Sequence, residues 1–292
     1  MPFADTELVL KENGNVYHLN LNPGNISKNI IIVGDPQRVE LISKLFDKVT
    51  FKMHNREFVT HTGLYKNQPI TVLGTGIGTD NIDIVINELD ALVNIDLKNR
   101  TIKKEHTALN IVRIGTCGAM QENIPVNSTI ISEYGLGLDG LMHFYNIEYS
   151  ETETLLTNAF INQTQFDTNI TLPYFIKASD SLLNHLMTND FYKGITTTAP
   201  GFYGPQGREL RGKLKMPDLN EKLNQFEYNN HKVLNFEMET SALYGLSKIL
   251  GHNACTVCVV IGNRFSKKFS PNYKPFIESL AKHVLDRLTL LS

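Results

Sequence analysis

The sequence of 292 residues has no excess of either charge, few cysteines and no long apolar run. Lys and Arg number 28 and Asp and Glu number 30, so the formal net charge is -2. This balance argues against a general nucleic-acid-binding protein, which carries a basic excess or stripe. No apolar run reaches the ~18 residues that span a bilayer. Because Met1–Glu7 also lacks the charged-then-apolar layout of a secretion signal, we expect a cytoplasmic protein with no membrane partner.

The three cysteines, an odd number in a chain of this length, do not form a disulfide framework. Cys255 and Cys258 form a CxxC motif, but they lie within the apolar run Ala254–Ile261. Residues three apart in a strand point to opposite faces, and no second pair of ligands with zinc spacing is present. We therefore expect these two thiols to be core residues, and we predict no metal site.

Short strand patterns alternate with helix patterns along the whole chain. Helices are predicted after Pro36, after Asp80 as the capping residue, and at Ser179–Met187, Met238–Leu250 and Asn272–Leu291. Strands are predicted at Asn29–Val33, Glu57–Tyr65, Ile70–Leu73, Asn110–Ile114, Ser128–Glu133, Gly194–Thr198, Val233–Phe236 and Cys255–Ile261. The alternation predicts one α/β domain over residues 1–292 with a largely parallel or mixed sheet. The polar stretches Asp96–Thr107 and Arg211–Asn230 are interpreted as insertions between elements.

Arginine is scarce, because only eight of the 28 cationic residues are Arg. The planar guanidinium binds oxyanions bidentately, so a sequence that uses Lys for solvation can reserve Arg for such sites. In open α/β sheets the ligand lies beyond the carboxyl ends of strands. Motifs at those ends are therefore the candidates for function.

Three glycine-containing motifs follow predicted strands. The segment Gly34 to Arg38 opens a helix and combines free backbone N–H groups with a guanidinium, which suits an anion; a plain turn with a surface Arg is the alternative. Arg113 lies within a strand, where an unpaired charge is costly. With Gly115 and Thr116 it suits phosphate, and a buried ion pair is the alternative. The loop Gly74 to Gly78 is GxGxG rather than GxGxxG, which favours a tight turn over a dinucleotide loop.

Two further motifs carry aromatic, amide and carboxylate groups. The loop Phe202 to Arg208 places an aromatic pair before Gln206, whose amide offers both a donor and an acceptor to the edge of a base. An exposed polar turn is the alternative. Glu237 and Glu239 flank Met238 where a strand passes into a helix, and two carboxylates can accept from a diol. Capping of the helix is one alternative, and a glycosidase-like pair of carboxylates is another.

In this order the five motifs resemble those of the nucleoside phosphorylase family, and specifically its uridine phosphorylase branch, from about Val16 to Arg264. The resemblance implies a three-layer α/β/α sandwich with a mixed, partly barrel-like central sheet. It also implies homodimer units, often assembled into hexamers, whose active sites take residues from both subunits. The implied reaction is reversible phosphorolysis of uridine, with deoxyuridine or thymidine as further substrates, to uracil and the sugar 1-phosphate.

The resemblance also assigns roles by position. The family's phosphate-binding residues correspond by this resemblance to Gly34, Arg38, Arg113 and Thr116. The resemblance implies that the neighbouring subunit contributes Arg56 to the same site. Met238 and Glu239 resemble the residues that contact the ribose. His18 resembles the histidine that the neighbouring subunit contributes to bind the 5′-hydroxyl. Phe202, Gln206 and Arg208 resemble the residues that bind the base. Arg113, Gln206 and Arg208 are the implied catalytic residues. No cofactor is implied beyond phosphate as co-substrate, although some members bind a monovalent cation at the dimer interface near the position of Glu57.

Uridine is favoured over purine nucleosides because bacterial-type purine members are expected to carry an Asp after the last core strand. Here that stretch, Val260 to Arg264, has no carboxylate. The alternatives left open are a purine or broad-specificity phosphorylase and a non-catalytic nucleoside-binding protein on the same fold. The sequence departs from the family at Cys117, where Thr or Ser is expected, and in the stretch 96–107.

Overall fold

The computed structural model describes residues 2–291. Most of its strands join one twisted sheet of 12 strands. The strands are β1 (Asn29–Val33), β2 (Lys48–Asn55), β3 (Phe58–Tyr65), β4 (Gln68–Gly74), β5 (Ile95–Asp96), β6 (Thr101–Ile102), β7 (Asn110–Ala119), β8 (Thr129–Gly137), β9 (Tyr174–Lys177), β10 (Phe191–Thr198), β11 (Glu227–Tyr228), β12 (His231–Glu237), β13 (Asn253–Asn263) and β14 (Lys268–Phe269).

Five strands close into a barrel within this sheet. Along the path β12-β10-β8-β13-β7 each strand bonds to the next, and β7 returns to β12 through Gly118↔Phe236 and Ala119↔Asn235. The sheet then continues from β7 through β1, β4 and β3 to β2. Pairing is parallel between β13, β7, β1 and β4, and antiparallel where β8 meets β13 and where β12 meets β7. The prediction of a mixed, partly barrel-like sheet is confirmed.

Helices cover the sheet on both faces. Within residues 2–291, none of them combines the length and the apolar composition that crossing a bilayer requires. One layer contains α2 packed on α6, and the other contains α1 and α4 packed on α7. The helices are α1 (Gln37–Ser43), α2 (Thr79–Asn94), α3 (Glu151–Thr164), α4 (Asp180–Leu186), α5 (Leu219–Gln225), α6 (Thr240–Leu250) and α7 (Lys274–Leu288).

Apolar spacing accounts for the helices that the sequence predicts. In α2, the residues Ile82, Val85, Ile86 and Leu89 recur on one face and are fully buried, as an amphipathic helix requires. The main core joins this face to the apolar strands β1, β7 and β13. Cys255 is fully buried in this core and Cys258 in a smaller apolar cluster, both as free thiols, which agrees with their prediction as core residues.

One local prediction is wrong. Asp80 does not cap α2, because Gly78 occupies the N-cap position and no side chain caps the helix there. The two stretches interpreted as insertions contain short elements of their own. Residues 96–107 include part of a two-stranded hairpin, β5–β6, and residues 211–230 contain α5 and β11. Helix α3 was not predicted, although Ser150 and Glu153 form a capping box at its start, which is a recognisable sequence signal.

Candidate active site

A cavity of about 590 Å³ lies at the carboxyl ends of the parallel strands β1, β7 and β13. This is the position that a ligand takes in a sheet of this kind, and the volume suits a small molecule. Segments far apart in sequence meet there because the loops after β1, β10, β12 and β13 converge. Nine predicted residues line the cavity: Gly34, Arg38, Arg113, Thr116, Phe202, Gln206, Arg208, Met238 and Glu239.

One wall of the cavity is built from the turn after β1 and the second half of β7. Arg38 extends from the start of α1 and its Nη2 approaches Thr116 Oγ1 at 3.5 Å. Its only charged partner among the described residues is the half-exposed Asp35, at 3.9 Å from Nε. Gly34 permits close packing of the two loops, since a Cβ there would lie 3.3 Å from the carbonyl oxygen of Gly76. This wall presents a lightly paired guanidinium and backbone groups, which suit an oxyanion.

Arg113 is in a different state from Arg38, because its guanidinium is buried and paired. Its Nη1 lies 3.2 Å from Glu237 Oε2, and its Nη2 contacts Glu239 Oε2. Nη1 also donates to Cys258 Sγ at 3.4 Å. Burial disfavours the charged guanidinium, but the two carboxylates outweigh it and raise the pKa of Arg113 above its ordinary value. The alternative of a buried ion pair is therefore correct for Arg113, and the same group also lines the cavity.

The carboxylates of Glu237 and Glu239 differ in how many of their acceptor positions are already occupied. Glu237 accepts from Thr198 Oγ1 at 2.7 Å and from the backbone N–H groups of Glu239 and Thr240 at 2.9–3.0 Å. It thereby binds the first N–H groups of α6, which is the helix-capping role considered from the sequence. Among residues 2–291, the partners of Glu239 as acceptor are one N–H on Oε1 and the Arg113 guanidinium on Oε2. Glu239 is therefore the carboxylate with unused acceptor capacity toward a diol.

The glycine loop after β4 holds Glu239 in place. Gly78 N–H donates to Glu239 Oε1 at 2.9 Å, and Gly78 has φ 102°, a conformation that favours glycine. The loop is a tight turn, as predicted, but it also bonds to a site residue 161 positions away. Burial, followed by the charge of Glu237, raises the pKa of Glu239 despite the opposing effect of Arg113. The sequence did not indicate this role for Gly78.

The opposite wall is the loop Phe202 to Arg208. Arg208 Nη1 donates to Gln206 Oε1 at 2.6 Å and to the carbonyl of Phe202 at 2.5 Å, and its guanidinium lies 3.8 Å from the centre of the Phe202 ring. Arg264 fixes this loop from behind, because its Nη2 donates to the carbonyl of Gln206 at 2.8 Å. Burial, followed by the neighbouring charge of Arg264, lowers the pKa of Arg208 to about 10. The predicted amide and guanidinium pair is thus formed and held in the cavity.

Cys117, the departure noted in the sequence, lines the cavity between these walls. It is 4% exposed, and burial raises the pKa of its thiol well above the ordinary value. Its environment includes Cys258, which is itself bonded to Arg113. A thiol in this state is a small apolar wall residue rather than a nucleophile.

His18 and Arg56, the two residues that the resemblance assigns to a neighbouring subunit, do not line this cavity in their own chain. Both contact Tyr17: the Arg56 guanidinium is 5.1 Å from the centre of its ring, and the His18 ring packs edge-on against it. Glu57 is exposed in the turn between β2 and β3, beside the glycine loop. His18 borders a second cavity of about 680 Å³ along α2.

Among the described residues, one group of three has the donors for a metal ion: Asp90, His106 and His252. His252 Nδ1 accepts the backbone N–H of Leu109 at 3.2 Å. In the neutral ring the hydrogen is then on Nε2, the nitrogen that lies 3.3 Å from Asp90 Oδ1. With this tautomer His252 has no lone pair to offer a metal at that position. The donor set does not fit a metal centre.

Comparison with known proteins relates most of the chain to one family. The model of the family described as the phosphorylase superfamily matches residues 28–286. A uridine phosphorylase from Thermococcus kodakarensis is 32% identical over 274 residues, which are 91% of this chain and 84% of that protein. A DeoD-type purine nucleoside phosphorylase from Bacillus cytotoxicus is 29% identical, over 85% of this chain and 87% of its own length. The crystal structure of a Trypanosoma brucei nucleoside phosphorylase, described as showing uridine phosphorylase activity, superimposes with a TM-score of 0.90 at 29% identity, covering 98% of this chain and 100% of the other.

Proposed function

Because the chain belongs to the phosphorylase superfamily, we propose that it is a uridine phosphorylase, a pentosyltransferase that converts uridine and phosphate reversibly to uracil and ribose 1-phosphate. One observation carries the proposal. The residues that would bind phosphate, ribose and base come from separate segments of the chain and line a single cavity. The identity to a curated uridine phosphorylase points to the same activity.

The proposed binding of phosphate and ribose is argued from the lightly paired Arg38 and from the ion pair between Arg113 and Glu239. Phosphate would bind to Arg38, Thr116 and the turn at Gly34, while Arg113 joins that wall to the ribose carboxylate Glu239. A phosphate oxygen attacks C1′, and the C1′–N1 bond breaks with its electron pair going to the base. The developing positive charge on the sugar lies between the phosphate and Glu239. Positioning and electrostatics supply the catalysis, with no protein nucleophile.

The base side has the groups that the leaving uracil needs. Gln206 and Arg208 are already hydrogen-bonded to each other and ordered by Arg264 and Phe202. Preorganised donors of this kind stabilise negative charge as it develops, at no cost of reorganisation. Gln206 can accept from the base N–H and donate to a carbonyl, while Arg208 donates to a carbonyl.

The end of β13 supports a pyrimidine over a purine. Asn263 donates its amide to the carbonyls of Gln121 and Ile124 at 2.8–2.9 Å and accepts from the N–H groups of Phe265 and Ser266 at 2.9 Å. Its side chain is committed to the loop, so neither a carboxylic acid nor a free amide faces the purine N7 position from here. Discrimination of uridine from the deoxynucleosides rests on the demand of Glu239 for a 2′-hydroxyl, and discrimination of deoxyuridine from thymidine rests on the space that the pocket leaves for the 5-methyl group.

We further propose homodimer units, within a possible hexamer, in which each cavity receives His18 and Arg56 from the neighbouring subunit. The placement of both residues together and outside their own cavity supports this arrangement. The exposed Glu57 beside the glycine loop is the proposed contact for a monovalent cation at that interface. The proposed setting is pyrimidine salvage in the cytoplasm.

The direct test is an assay of the purified protein with uridine, deoxyuridine, thymidine and inosine, with and without phosphate. We expect uracil and ribose 1-phosphate from uridine only when phosphate is present. Faster loss of inosine than of uridine would favour a purine phosphorylase. Free ribose without phosphate would indicate a hydrolase, and binding without turnover of any nucleoside would indicate a binding protein.

Sharing of active sites can be tested by mixing Arg113→Ala, which should be inactive, with His18→Ala, which should keep about a tenth of the uridine activity. In a hybrid dimer one cavity carries both substitutions and the other carries neither. Random mixing of dimers should therefore restore about a quarter of the wild-type activity. Restoration to no more than the sum of the two separate variants would show that each chain completes its own site.

A further inference from the structure

The loop that carries His18 is held by a single acidic side chain from α2. Glu88 accepts the backbone N–H of His18 at 2.8 Å on Oε1 and the backbone N–H of Leu19 at 2.8 Å on Oε2. The His18 ring also bonds to it, with Nδ1 lying 2.7 Å from Oε1. Three donors from two adjacent residues thus converge on one carboxylate.

These contacts determine which hydrogen the His18 ring carries. Both oxygens of Glu88 already accept backbone N–H groups, so Nδ1 is the donor in the ring contact. The neutral ring then has its lone pair on Nε2. Among the described residues, no hydrogen bond is formed by Nε2, and the side chain is 31% exposed. A hydroxyl group can donate to this nitrogen.

Besides Glu88, the edge-on contact with the Tyr17 ring restrains the His18 ring, but that contact does not select a tautomer. Residues 17–22 form no helix or strand, and turns without a ladder are easily displaced. On the other side Asn55 donates to the carbonyl of His18 at 2.6 Å, which holds the backbone but not the ring. Within this cluster, Glu88 is the group that holds both the backbone and the imidazole.

We propose that Glu88 is a positioning residue for the reaction of the neighbouring subunit: it orients His18 and fixes its Nδ1–H tautomer, so that Nε2 accepts the 5′-hydroxyl of the bound nucleoside. The inference rests on the proposed function and on the proposed lending of His18. It adds to that function the atom through which Glu88 acts, which is His18 Nδ1. A carboxylate that serves only to hold the fold would affect every substrate alike.

The test compares uridine with 5′-deoxyuridine, which lacks the hydroxyl that His18 would bind, at saturating phosphate. Glu88→Gln keeps the size of the side chain but replaces one acceptor oxygen with an NH2 group. That group would face one of the three N–H donors of His18 and Leu19. We expect kcat/KM for uridine to fall about tenfold, the value of one hydrogen bond to a polar group in a site, and that for 5′-deoxyuridine to change by less than about twofold. His18→Ala should give the same pattern, and the double variant should lose no more than His18→Ala alone.

Asp90→Asn is the matched control, because it makes the same chemical change on α2 and its carboxylate contacts Asn94 and His252 rather than His18. It should leave the ratio of the two substrates unchanged. Equal losses for both substrates in Glu88→Gln, or no loss for uridine, would overturn the inference while leaving the phosphorylase assignment intact. A wild-type protein that cleaves neither nucleoside would instead overturn the proposed function and, with it, this role for Glu88.

The tautomer itself can be measured on the wild-type protein, with a variant needed only to assign the signal. Two-bond 1H–15N correlation spectra of protein labelled with 15N-histidine distinguish the two neutral tautomers, and His18→Ala assigns the signal. We expect His18 to be protonated on Nδ1 at alkaline pH. Protonation on Nε2 would contradict the inference.

Discussion

Replacement of Arg113 by Ala should cost both catalysis and stability, whereas replacement of Arg38 should cost mainly catalysis. The Arg113 side chain is 6% exposed, and its partners Glu237 and Glu239 are 1% and 4% exposed. Removing one partner from a buried ion pair costs about 3–5 kcal/mol, because the remaining charge is left uncompensated. Arg38 faces the half-exposed Asp35 at 3.9 Å, and such a pair contributes about 0–1 kcal/mol.

The difference is measurable as a melting temperature. A chain of this size has an unfolding entropy of about 0.6 kcal/mol/K near its midpoint. Arg113→Ala should therefore lower Tm by about 5–8 °C, and Arg38→Ala by less than about 2 °C. Both variants should lose phosphate-dependent cleavage of uridine. Differential scanning fluorimetry and the uracil-release assay on the same samples give the two readouts.

The deficit of Arg113→Ala should also depend on pH. Burial already raises the pKa of Glu239 while Arg113 opposes it, so without Arg113 the folded pKa rises further above the unfolded one. A carboxyl group with a raised folded pKa stabilises the fold at low pH, and that contribution is lost as pH rises from the unfolded toward the folded pKa. The Tm gap to wild type should thus widen as the pH rises above the pKa of an unfolded glutamate, about 4.3. A gap that is below about 2 °C at pH 7.5, or that narrows with rising pH, would refute the buried-pair reasoning.

Three further substitutions test separate parts of the site. Glu239→Gln keeps an acceptor for Gly78 N–H but removes the charge, so kcat/KM should fall at least about tenfold for uridine and less for 2′-deoxyuridine; equal losses would contradict the diol role. Gly115→Ala would place a methyl group that overlaps Arg113 Nη1, and should raise KM for phosphate in steady-state titrations; an unchanged KM would show that the guanidinium position is immaterial. Gln206→Leu should reduce kcat/KM for uridine by about tenfold or more with little change in KM for phosphate, and normal turnover would exclude its role in reading the base.

The amino-acid sequence was sufficient to predict the fold class and nine of the residues that line the cavity. Strand β1 was predicted with its observed bounds, and α2 nearly so, because their apolar periods are regular and local. The strand β7 was predicted to end at Ile114 but continues to Ala119. Glycines weaken a strand pattern in sequence, whereas here Gly115 is required by the close approach of Arg113 and Cys258.

The resemblance that the motif order carries pointed to those nine residues, and they meet because the carboxyl ends of parallel strands lie at one edge of the sheet. The tertiary structure determines which charges and hydrogen-bonding positions of these residues remain unpaired. Which carboxylate of the Glu237–Glu239 pair caps α6 and which faces the cavity depends on Thr198 and Gly78, distant residues with no periodic signal. Likewise, the charge of Arg113 was visible in sequence, but its two partners were decided by the meeting of β7 with β12.

The same division holds for Glu88, which is an ordinary polar position in a helix pattern until the loop of His18 folds onto it. Local sequence determines where strands and helices begin because periodicity and capping act over a few residues. Hydrogen-bond partners, tautomers and residual charge are set by groups tens to hundreds of residues apart. Only the folded chain, by bringing those groups within about 3 Å of each other, decides them.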